Sequence, residues 1–280
     1  MIMPLPDLML RPLIDAALAE DLGRAGDLTS TACVDKDARL NGIFAARQDG
    51  CIVGLDWVRL TLLALDPQAR IVALAADGQN IAAGSGLLRV EANARALLAA
   101  ERTALNMLGR LSGIATLTRS YVRAVEGTTA TITDTRKTTP MLRALEKYAV
   151  RCGGGINHRF GLDDAILIKD NHVVACGGVG EAVRRARAAA GHLVKIEVEI
   201  DRLDQLEQAL AAGPDVVMLD NFVLADLRAA VAKTAGRAVL EASGGVNLMA
   251  VRAIAETGVS VISVGALTHS APALDVGLDV

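Results

Sequence analysis

Hydrophobic positions repeat with two different periods in the first part of the chain, up to about residue 115. At 9–21 and 92–110, apolar residues recur every three or four positions, and this spacing places them on one face of a helix. Between these segments lie short apolar runs typical of strands, separated by turn-forming pairs such as Asp49-Gly50. The first part is therefore predicted to be a small α+β unit. Its strand-like runs are at 40–46, 51–54, 70–75 and 87–90.

Strand-like runs and helical stretches alternate regularly after about residue 115. This alternation predicts βα units that form a parallel sheet with right-handed crossovers. Six such units can close, or nearly close, into a barrel. The strand-like runs are at 130–134, 165–168, 194–200, 215–219, 238–241 and 260–264. The helical stretches are at 139–151, 180–190, 202–212, 224–234 and 247–257.

The composition agrees with a globular α/β protein. Of the 280 residues, 52% are hydrophobic and only 2% are aromatic. The core must therefore be built from aliphatic side chains, which suit buried parallel strands. A formal net charge of −3 and the scarcity of aromatic residues argue against nucleic-acid binding.

Three features of the sequence predict where the protein works. No run of about 18 apolar residues is present, so we expect no transmembrane helix and no membrane partner. The first residues lack the basic segment of a signal peptide. The four cysteines have no zinc-binding spacing, and we expect free buried thiols in a reducing compartment. The prediction is a cytoplasmic protein.

Chemically suitable residues follow each predicted strand of the second part. In a βα barrel, catalytic residues gather at the carboxyl ends of the strands. The residues at these ends are Arg136-Lys137, Lys169, Glu199, Asp220, Ser243-Gly244-Gly245 and Gly265.

These residues divide by charge. Three of them, together with His158 and Arg159, form a cationic group, which predicts a polyanionic ligand. Its members are Arg136, Lys137, His158, Arg159 and Lys169. The glycine-rich ends predict a phosphate near Ser243–Gly245 and Gly265, since glycine lets backbone N–H groups approach an anion. Glu199 and Asp220 predict Mg²⁺, which prefers one or two carboxylates together with substrate phosphates.

Some polar residues have a competing structural interpretation. Glu197 and Glu199 point to the same side of their strand, so at least one of them should lie in the barrel or at its mouth. Glu199 is favoured because it is closer to the carboxyl end. Arg143, Lys147 and Arg151 form a stripe at helical spacing, and we expect this stripe to face solvent.

The motifs around these residues resemble those of the decarboxylating quinolinate phosphoribosyltransferase family, nearly from end to end. One departure is Met141, where glycine is the commoner residue. The matching segments are EDLGRAGDLTS (20–30), ERTALNMLGRLSGIAT (101–116), TDTRKTTP (133–140), LEKYAVRCGGGINHRFGLDDAILIKDNH (145–172), EVEI (197–200), MLDNF (218–222), EASGGV (241–246) and ETGVSVISVGALTHS (256–270).

The resemblance implies an α/β fold with an N-terminal α/β sandwich at 1–114 and an incomplete parallel βα barrel at 115–268. This barrel is of the type II phosphoribosyltransferase kind, and residues 269–280 would return to the first domain. The implied reaction joins quinolinate to phosphoribosyl pyrophosphate with Mg²⁺. Its products are nicotinate mononucleotide, pyrophosphate and carbon dioxide, in NAD biosynthesis. The implied assembly is a homodimer, or a higher oligomer, with shared active sites.

The resemblance also implies how quinolinate is bound. Thr135 would contact substrate, and Lys137 would lie between quinolinate and pyrophosphate. Arg102 would reach into the site of the neighbouring subunit. The residues that would meet the quinolinate carboxylates are Arg136, His158, Arg159 and Lys169.

The second substrate would bind on the other side of the site. Glu199 and Asp220 would face the ribose hydroxyls and the metal, either directly or through substrate or water. The implied catalytic residues are Lys137, Lys169, Glu199 and Asp220. The residues that would hold the 5′-phosphate are Ser243, Gly244, Gly245, Gly265 and Ala266.

Other functions remain open at this point. A molybdenum-transport-associated relative and a nicotinate-specific phosphoribosyltransferase share the scaffold, whereas a phosphometabolite sensor on a barrel would bind without turnover. An aldolase-type barrel would use Lys169 as a Schiff base. His172 and His269 are interpreted as structural, and Cys152 has no paired base.

Overall fold

The chain forms two compact units in the computed structural model, which describes residues 2–280. The first unit contains the residues up to 119 together with 144–154 and 271–280. The second contains 120–143 and 155–270. The sequence-based ranges 1–114, 115–268 and 269–280 differ in placing 144–154 with the barrel, and they stay a prediction.

The helices and strands mostly follow the predicted periodicities. The helices are α1 (Asp7–Leu22), α2 (Leu28–Cys33), α3 (Leu55–Leu65), α4 (Ala94–Ala124), α5 (Arg143–Cys152), α6 (Asp170–Cys176), α7 (Val179–Ala189), α8 (Leu206–Ala211), α9 (Leu224–Thr234), α10 (Val251–Ala255) and α11 (Ala266–His269). The strands are β1 (Arg39–Ala46), β2 (Gly50–Cys51), β3 (Arg70–Ala73), β4 (Asn80–Ile81), β5 (Gly86–Asn93), β6 (Thr131–Thr133), β7 (Ile166–Ile168), β8 (Ile196–Ile200), β9 (Val216–Asp220), β10 (Val239–Ser243), β11 (Val261–Ser263) and β12 (Val276–Asp279).

An antiparallel sheet organises the first unit, with the strand order β12-β1-β5-β3. The last strand along the chain pairs with the first, since Ala46 lies opposite Val276 and Ile43 lies opposite Asp279. One face of the sheet packs on a hydrophobic core that includes Phe44, Leu97 and Leu108. As the composition indicates, this core is mainly aliphatic.

Helix α3 is absent from the sequence-based prediction. It begins after Gly54, and the Asp77 carboxylate accepts hydrogen bonds from the N–H groups of Gly54 and Leu55 at 3.0 and 3.1 Å. This cap comes from a residue distant in sequence, so no local capping signal marks the start of the helix.

The second unit is built on a six-stranded parallel sheet with the order β6-β11-β10-β9-β8-β7. Because β6 and β7 lie at the two ends of this order, the barrel is open between them. Adjacent strands bring their carboxyl ends to one edge; for example, Asp220 on β9 lies opposite Ser243 on β10. The predicted mixed α/β fold with a parallel sheet is confirmed.

The cysteine and membrane predictions can be checked against the same residues. All four cysteines are free, but only Cys51 and Cys152 are buried, whereas Cys33 is exposed. No helix within residues 2–280 has the length and apolar character needed to cross a membrane.

Helix α4 continues beyond the predicted end at 110 and meets the C-terminal segment of its own unit at two glycines. A Cβ atom on Gly113 would lie 1.9 Å from the Pro272 carbonyl oxygen, and one on Gly109 would lie 2.8 Å from the Leu274 oxygen. The absence of side chains here allows the backbone before β12 to pass against the helix.

We expect Gly113→Ala to destabilise the protein by about 1–3 kcal/mol through this clash, despite a gain of up to ~1 kcal/mol in helix propensity. Urea unfolding followed by circular dichroism would measure the change. Gly180→Ala is the control, since its Cβ would lie 3.8 Å from the nearest atom, the Gln208 oxygen. An unchanged midpoint for Gly113→Ala would show that the close approach is not needed for stability.

Candidate active site

A cavity of about 420 Å³ lies in the second unit and is lined by residues at the carboxyl ends of the strands. Most of the predicted site residues of this unit contribute to it, so the strand-end reasoning located the cavity. Its lining residues are Thr135, Arg136, Lys137, His158, Arg159, Leu167, Lys169, Glu199, Met218, Asp220, Glu241, Ser243 and Ser263.

Two arginines give the cavity unpaired positive charge. The Nε atoms of Arg136 and Arg159 are buried, and neither has a hydrogen-bond partner among residues 2–280. Burial and the neighbouring Arg136 charge both lower the pKa of Arg159. Two desolvated guanidinium donors with unmet hydrogen bonds favour the binding of a planar anion with more than one carboxylate.

The loops that carry these arginines are held together by one buried carboxylate. Asp134, at the end of β6, accepts hydrogen bonds from the Asn157 side-chain amide at 2.6 Å and the His158 N–H at 2.9 Å. Asp134 directly precedes the Thr135–Lys137 loop, and His158 directly precedes Arg159. This contact therefore fixes the two arginine-bearing loops against each other.

A second carboxylate organises the loop after Arg159. Asp164 accepts hydrogen bonds from the N–H groups of Phe160 and Gly161 at 2.6 and 3.1 Å. Burial raises the pKa of Asp164, but these N–H groups outweigh burial and the net pKa is lowered. Arg159 itself donates to the Ala165 carbonyl at 3.0 Å, so its guanidinium is held at the cavity wall.

Lys169 and Glu199 form an ion pair at the cavity, with 3.2 Å between Nζ and Oε2. The Lys169 N–H donates to His172 Nδ1 at 2.9 Å at the start of α6, which agrees with the structural interpretation of this histidine. Glu199 is thus the cavity carboxylate on β8, as predicted. Its ion pair places positive and negative charge next to each other.

The loops after β9 and β10 interlock beside this pair. Asn221 has a φ of 57° and donates its N–H to the Ser243 carbonyl at 2.9 Å, and its amide donates to Asp220 at 2.7 Å. Gly244 has a φ of 92°, and a Cβ there would lie 2.2 Å from Asn221 Oδ1. Only glycine fits this turn without displacing Asn221.

The loop after β11 brings in a histidine that sequence reasoning treated as structural. A Cβ on Gly265 would lie 3.0 Å from the Lys137 side chain and 3.3 Å from His269 Nε2. Thr268 donates its hydroxyl to the Lys137 carbonyl at 2.8 Å. Lys137 and His269 therefore flank the glycine at which a phosphate is predicted.

A cluster at the cavity wall contains the buried residue Glu241, which sequence reasoning missed. His158 Nε2 lies 2.9 Å from Glu197 Oε2 and 3.8 Å from Glu241 Oε1. The two glutamates are only 7% and 4% exposed. Burial, and then the negative charge of Glu197, raises the pKa of Glu241 to about 7. In the sequence, Glu241 is the last residue of a strand-like apolar run, and the glycine-rich segment that follows is the stronger signal.

Several predicted residues lie outside the cavity lining. Gly244, Gly245 and Gly265 belong to the adjoining loops and Ala266 begins α11, so none of them forms the wall. Arg102 is exposed and lines a pocket of the first unit, of about 280 Å³. Ser263 lines the cavity but was not predicted.

The expected solvent-facing stripe on α5 is partly wrong. Lys147 is only 3% exposed, and Arg143 is half-buried. Arg143 donates to Thr138 Oγ1 and to the Phe160 carbonyl, each at 2.9 Å, and so ties two site loops together. Helical spacing shows which residues share a face, but not whether loops cover that face.

Met141 departs from the family pattern at a position whose backbone favours glycine. Its φ is 69°, in the left-handed region, and its side chain is exposed. The commoner glycine adopts this conformation without strain. The departure lies in the loop before α5, and Met141 does not line the cavity.

An open parallel βα barrel with a cationic cavity and adjacent carboxylates is the architecture of an enzyme that joins anionic substrates. Family models match both parts of the chain: the quinolinate phosphoribosyl transferase N-terminal domain at 27–112 and the C-terminal domain at 114–279. The chain belongs to the quinolinate phosphoribosyl transferase family.

Similar proteins cover nearly the whole chain. It is 48% identical to a nicotinate-nucleotide pyrophosphorylase (carboxylating) from Mycobacterium leprae, over 96% of both chains. It is 45% identical to a probable enzyme of the same name from Bacillus subtilis, over 98% of this chain and 94% of that one. The solved nicotinate-nucleotide pyrophosphorylase structure from Francisella tularensis matches with a TM-score of 0.94 at 39% identity, over 99% and 98% of the two chains.

The raised pKa of Glu241 predicts a pH-dependent effect of Glu241→Gln on stability. Below the unfolded pKa the carboxyl is protonated in both states, so wild type and variant should be similar. As the pH rises from the unfolded pKa to the folded pKa of about 7, the carboxyl ionises in the unfolded state but stays protonated in the folded state, so wild type loses stability. The variant should become more stable by on the order of 2 kcal/mol at pH 8.

Urea unfolding at pH 5 and pH 8 would measure this difference. Thr234→Val is a matched control, since its hydroxyl is also buried without a partner among the described residues but does not titrate. A difference between Glu241→Gln and wild type that is the same at both pH values would contradict the prediction.

Proposed function

We propose that this chain transfers the phosphoribosyl group from phosphoribosyl pyrophosphate to quinolinate. The products are nicotinate mononucleotide, pyrophosphate and carbon dioxide. The observation that supports this most strongly is the pair of half-buried arginines, Arg136 and Arg159, whose buried Nε donors are unmet, in the same cavity as Lys169. Two carboxylates on one planar ring match this set better than one, and this favours quinolinate over nicotinate.

The reaction needs no covalent nucleophile from the protein. The quinolinate ring nitrogen forms a bond to C1′ of the ribose, and the C1′–oxygen bond breaks with its electron pair leaving on pyrophosphate. The ring is then cationic, so the bond to the adjacent carboxylate can break with release of carbon dioxide. The electron pair stays on the ring carbon, which takes up a proton.

The cavity residues act on this sequence through position and charge. Arg136, Arg159 and Lys169 orient the dicarboxylate, and holding both substrates in register accounts for up to about 7–11 kcal/mol in well-oriented reactions. Lys137 stabilises the negative charge that develops on pyrophosphate, because it flanks the phosphate loop at Gly265. Glu199 and Asp220 stabilise the electron-poor ribose carbon.

Mg²⁺ is the proposed metal, and the carboxylates at the cavity fit it. Asp220 and Glu199 offer oxygen ligands from adjacent strands, and Glu199 also faces Lys169. This arrangement suits an ion that takes most of its ligands from substrate oxygens and one or two from the protein. When bound, Mg²⁺ would stabilise charge on the leaving pyrophosphate.

The proposed assembly is a homodimer in which Arg102 of one copy enters the barrel mouth of the other. Arg102 is exposed and lies beside a pocket lined in part by Glu20, Asp21 and Arg110. The proposal rests on the family resemblance together with this exposed position. The proposed location is the cytoplasm.

We expect the wild-type protein to form nicotinate mononucleotide and carbon dioxide from quinolinate, phosphoribosyl pyrophosphate and Mg²⁺, and to form no product from nicotinate. Omitting Mg²⁺ should remove activity. Arg136→Ala and Lys169→Ala should each lower kcat/KM by at least about a hundredfold, since each removes a charged contact to the substrate. Product can be followed by chromatography.

Arg184→Ala provides a matched control in the same unit, because the Arg184 side chain is 68% exposed on α7. It should keep wild-type activity and folding. Turnover at the wild-type rate in Arg136→Ala or Lys169→Ala would overturn the substrate assignment, and product from nicotinate would show that one carboxylate is enough.

Mixing two inactive variants tests the shared site. Arg102→Ala and Lys169→Ala place their defects in different units, so a mixed dimer would contain one site with both residues intact. Activity should return on mixing after exchange of subunits, to at most about a quarter of wild type by random pairing. If no activity returns although the subunits exchange, each site is built from a single chain.

A further inference from the structure

We propose that Glu197 and Glu241 are positioning residues, which act through His158 to hold Arg159 for the aromatic dicarboxylate. The inference rests on the proposed function for the identity of that substrate. It assigns a role to two buried carboxylates that are distinct from Glu199 and Asp220.

His158 connects two strands, β6 and β8, to Arg159. Its backbone N–H donates to Asp134 after β6, and its Nε2 lies 2.9 Å from Glu197 on β8. Its Nδ1 accepts the N–H of Arg159 at 2.8 Å. The imidazole ring is therefore fixed at both nitrogens, and the second of these contacts sets the backbone position of Arg159.

The direction of these hydrogen bonds determines which nitrogen of the His158 ring carries the proton. Because Nδ1 accepts a hydrogen bond from a backbone N–H, it carries no proton. The ring proton must then be on Nε2, where it is donated to Glu197. Glu197 is thus required as an acceptor, and an apolar residue in its place would leave the Nε2–H group unpaired inside the barrel.

Glu241 completes the enclosure of the imidazole. One oxygen of Glu197 and one of Glu241 are buried with no hydrogen-bond partner in the described part of the chain. The groups that face Glu241 are His158 from the loop before β7, Glu197 from β8, Asp134 from β6 and Ser263 from β11. With two other acids this close, a neutral Glu241 fits better than a third charge, so a glutamine should replace it.

The same three side chains could be regarded as a cation site, since their ligand atoms lie within 4.8 Å of one another. The hydrogen bonds argue against that interpretation, because Nε2 carries a proton. The negative charge of Glu197 also interacts with the guanidinium of Arg159. A cation there would be repelled by the arginines of the cavity.

The experiment compares apolar and polar replacements at both positions. Glu197→Leu and Glu241→Leu should raise KM for quinolinate by about tenfold or more, with KM for phosphoribosyl pyrophosphate changed less than about threefold. Glu197→Gln and Glu241→Gln keep an acceptor in the same place, so they should restore KM for quinolinate to within about threefold of wild type. Thr234→Val is the control for a buried substitution.

Circular dichroism would confirm that each variant is folded. If a leucine variant does not fold, the matching glutamine variant still tests the proposal, because its KM for quinolinate must stay close to that of wild type. Equal rises in both KM values would overturn positioning, as would a glutamine variant as impaired as its leucine counterpart. Stoichiometric metal in the purified wild type that is lost in Glu197→Gln would also overturn it, in favour of a cation site.

The wild-type assay separates this inference from the function on which it rests. A wild type that does not use quinolinate would overturn both. A wild type that uses quinolinate, beside variants with unselective losses, would overturn the positioning role alone.

Discussion

The second unit holds two positively charged arginines close together at one edge of its open barrel, and the surrounding structure must offset their repulsion. Arg136 and Arg159 are half-buried in one cavity, where each guanidinium repels the other. Carboxylates fixed near the two arginine-bearing loops offset this repulsion. Asp134 joins the two loops, Asp164 orders the second of them, and the charge of Glu197 favours the protonated Arg159 guanidinium. The Nε–H groups of Arg136 and Arg159 thus remain available to bind an anion in the cavity.

The carboxylates of the second unit fall into two pairs that differ in how deeply they are buried. Glu199 and Asp220 lie at the cavity, where Lys169 and Asn221 contact them. Glu197 on β8 and Glu241 on β10 are more fully buried, and both lie close to the His158 imidazole. Desolvation is costly for the deeper pair, so these residues are the ones with unmet oxygens and, in Glu241, a raised pKa. Depth therefore separates carboxylates suited to substrate from carboxylates suited to support.

Sequence reasoning recovered the parts of this design that have a local signature. Alternating apolar runs predicted the parallel strands, and the residue after each strand predicted the cavity wall at Arg136, Lys169, Glu199 and Asp220. Features that depend on distant partners were not predictable in this way. The Asp77 cap of α3 is one example, and the burial of Lys147 is another. Glu241 was missed because its role depends on His158 and Glu197, which come from distant parts of the chain and which the strand sequence alone does not place next to it.

The late position of β12 in the chain has a consequence for biosynthesis. The sheet of the first unit is completed by β12, which is synthesised only after the whole of the second unit. During translation, β1 is therefore an unpaired edge that waits for a partner more than two hundred residues later, as the pairing of Ala46 with Val276 shows. An exposed edge strand is a template for intermolecular pairing. Until β12 has been made, the nascent first unit therefore presents this edge of β1 to other chains.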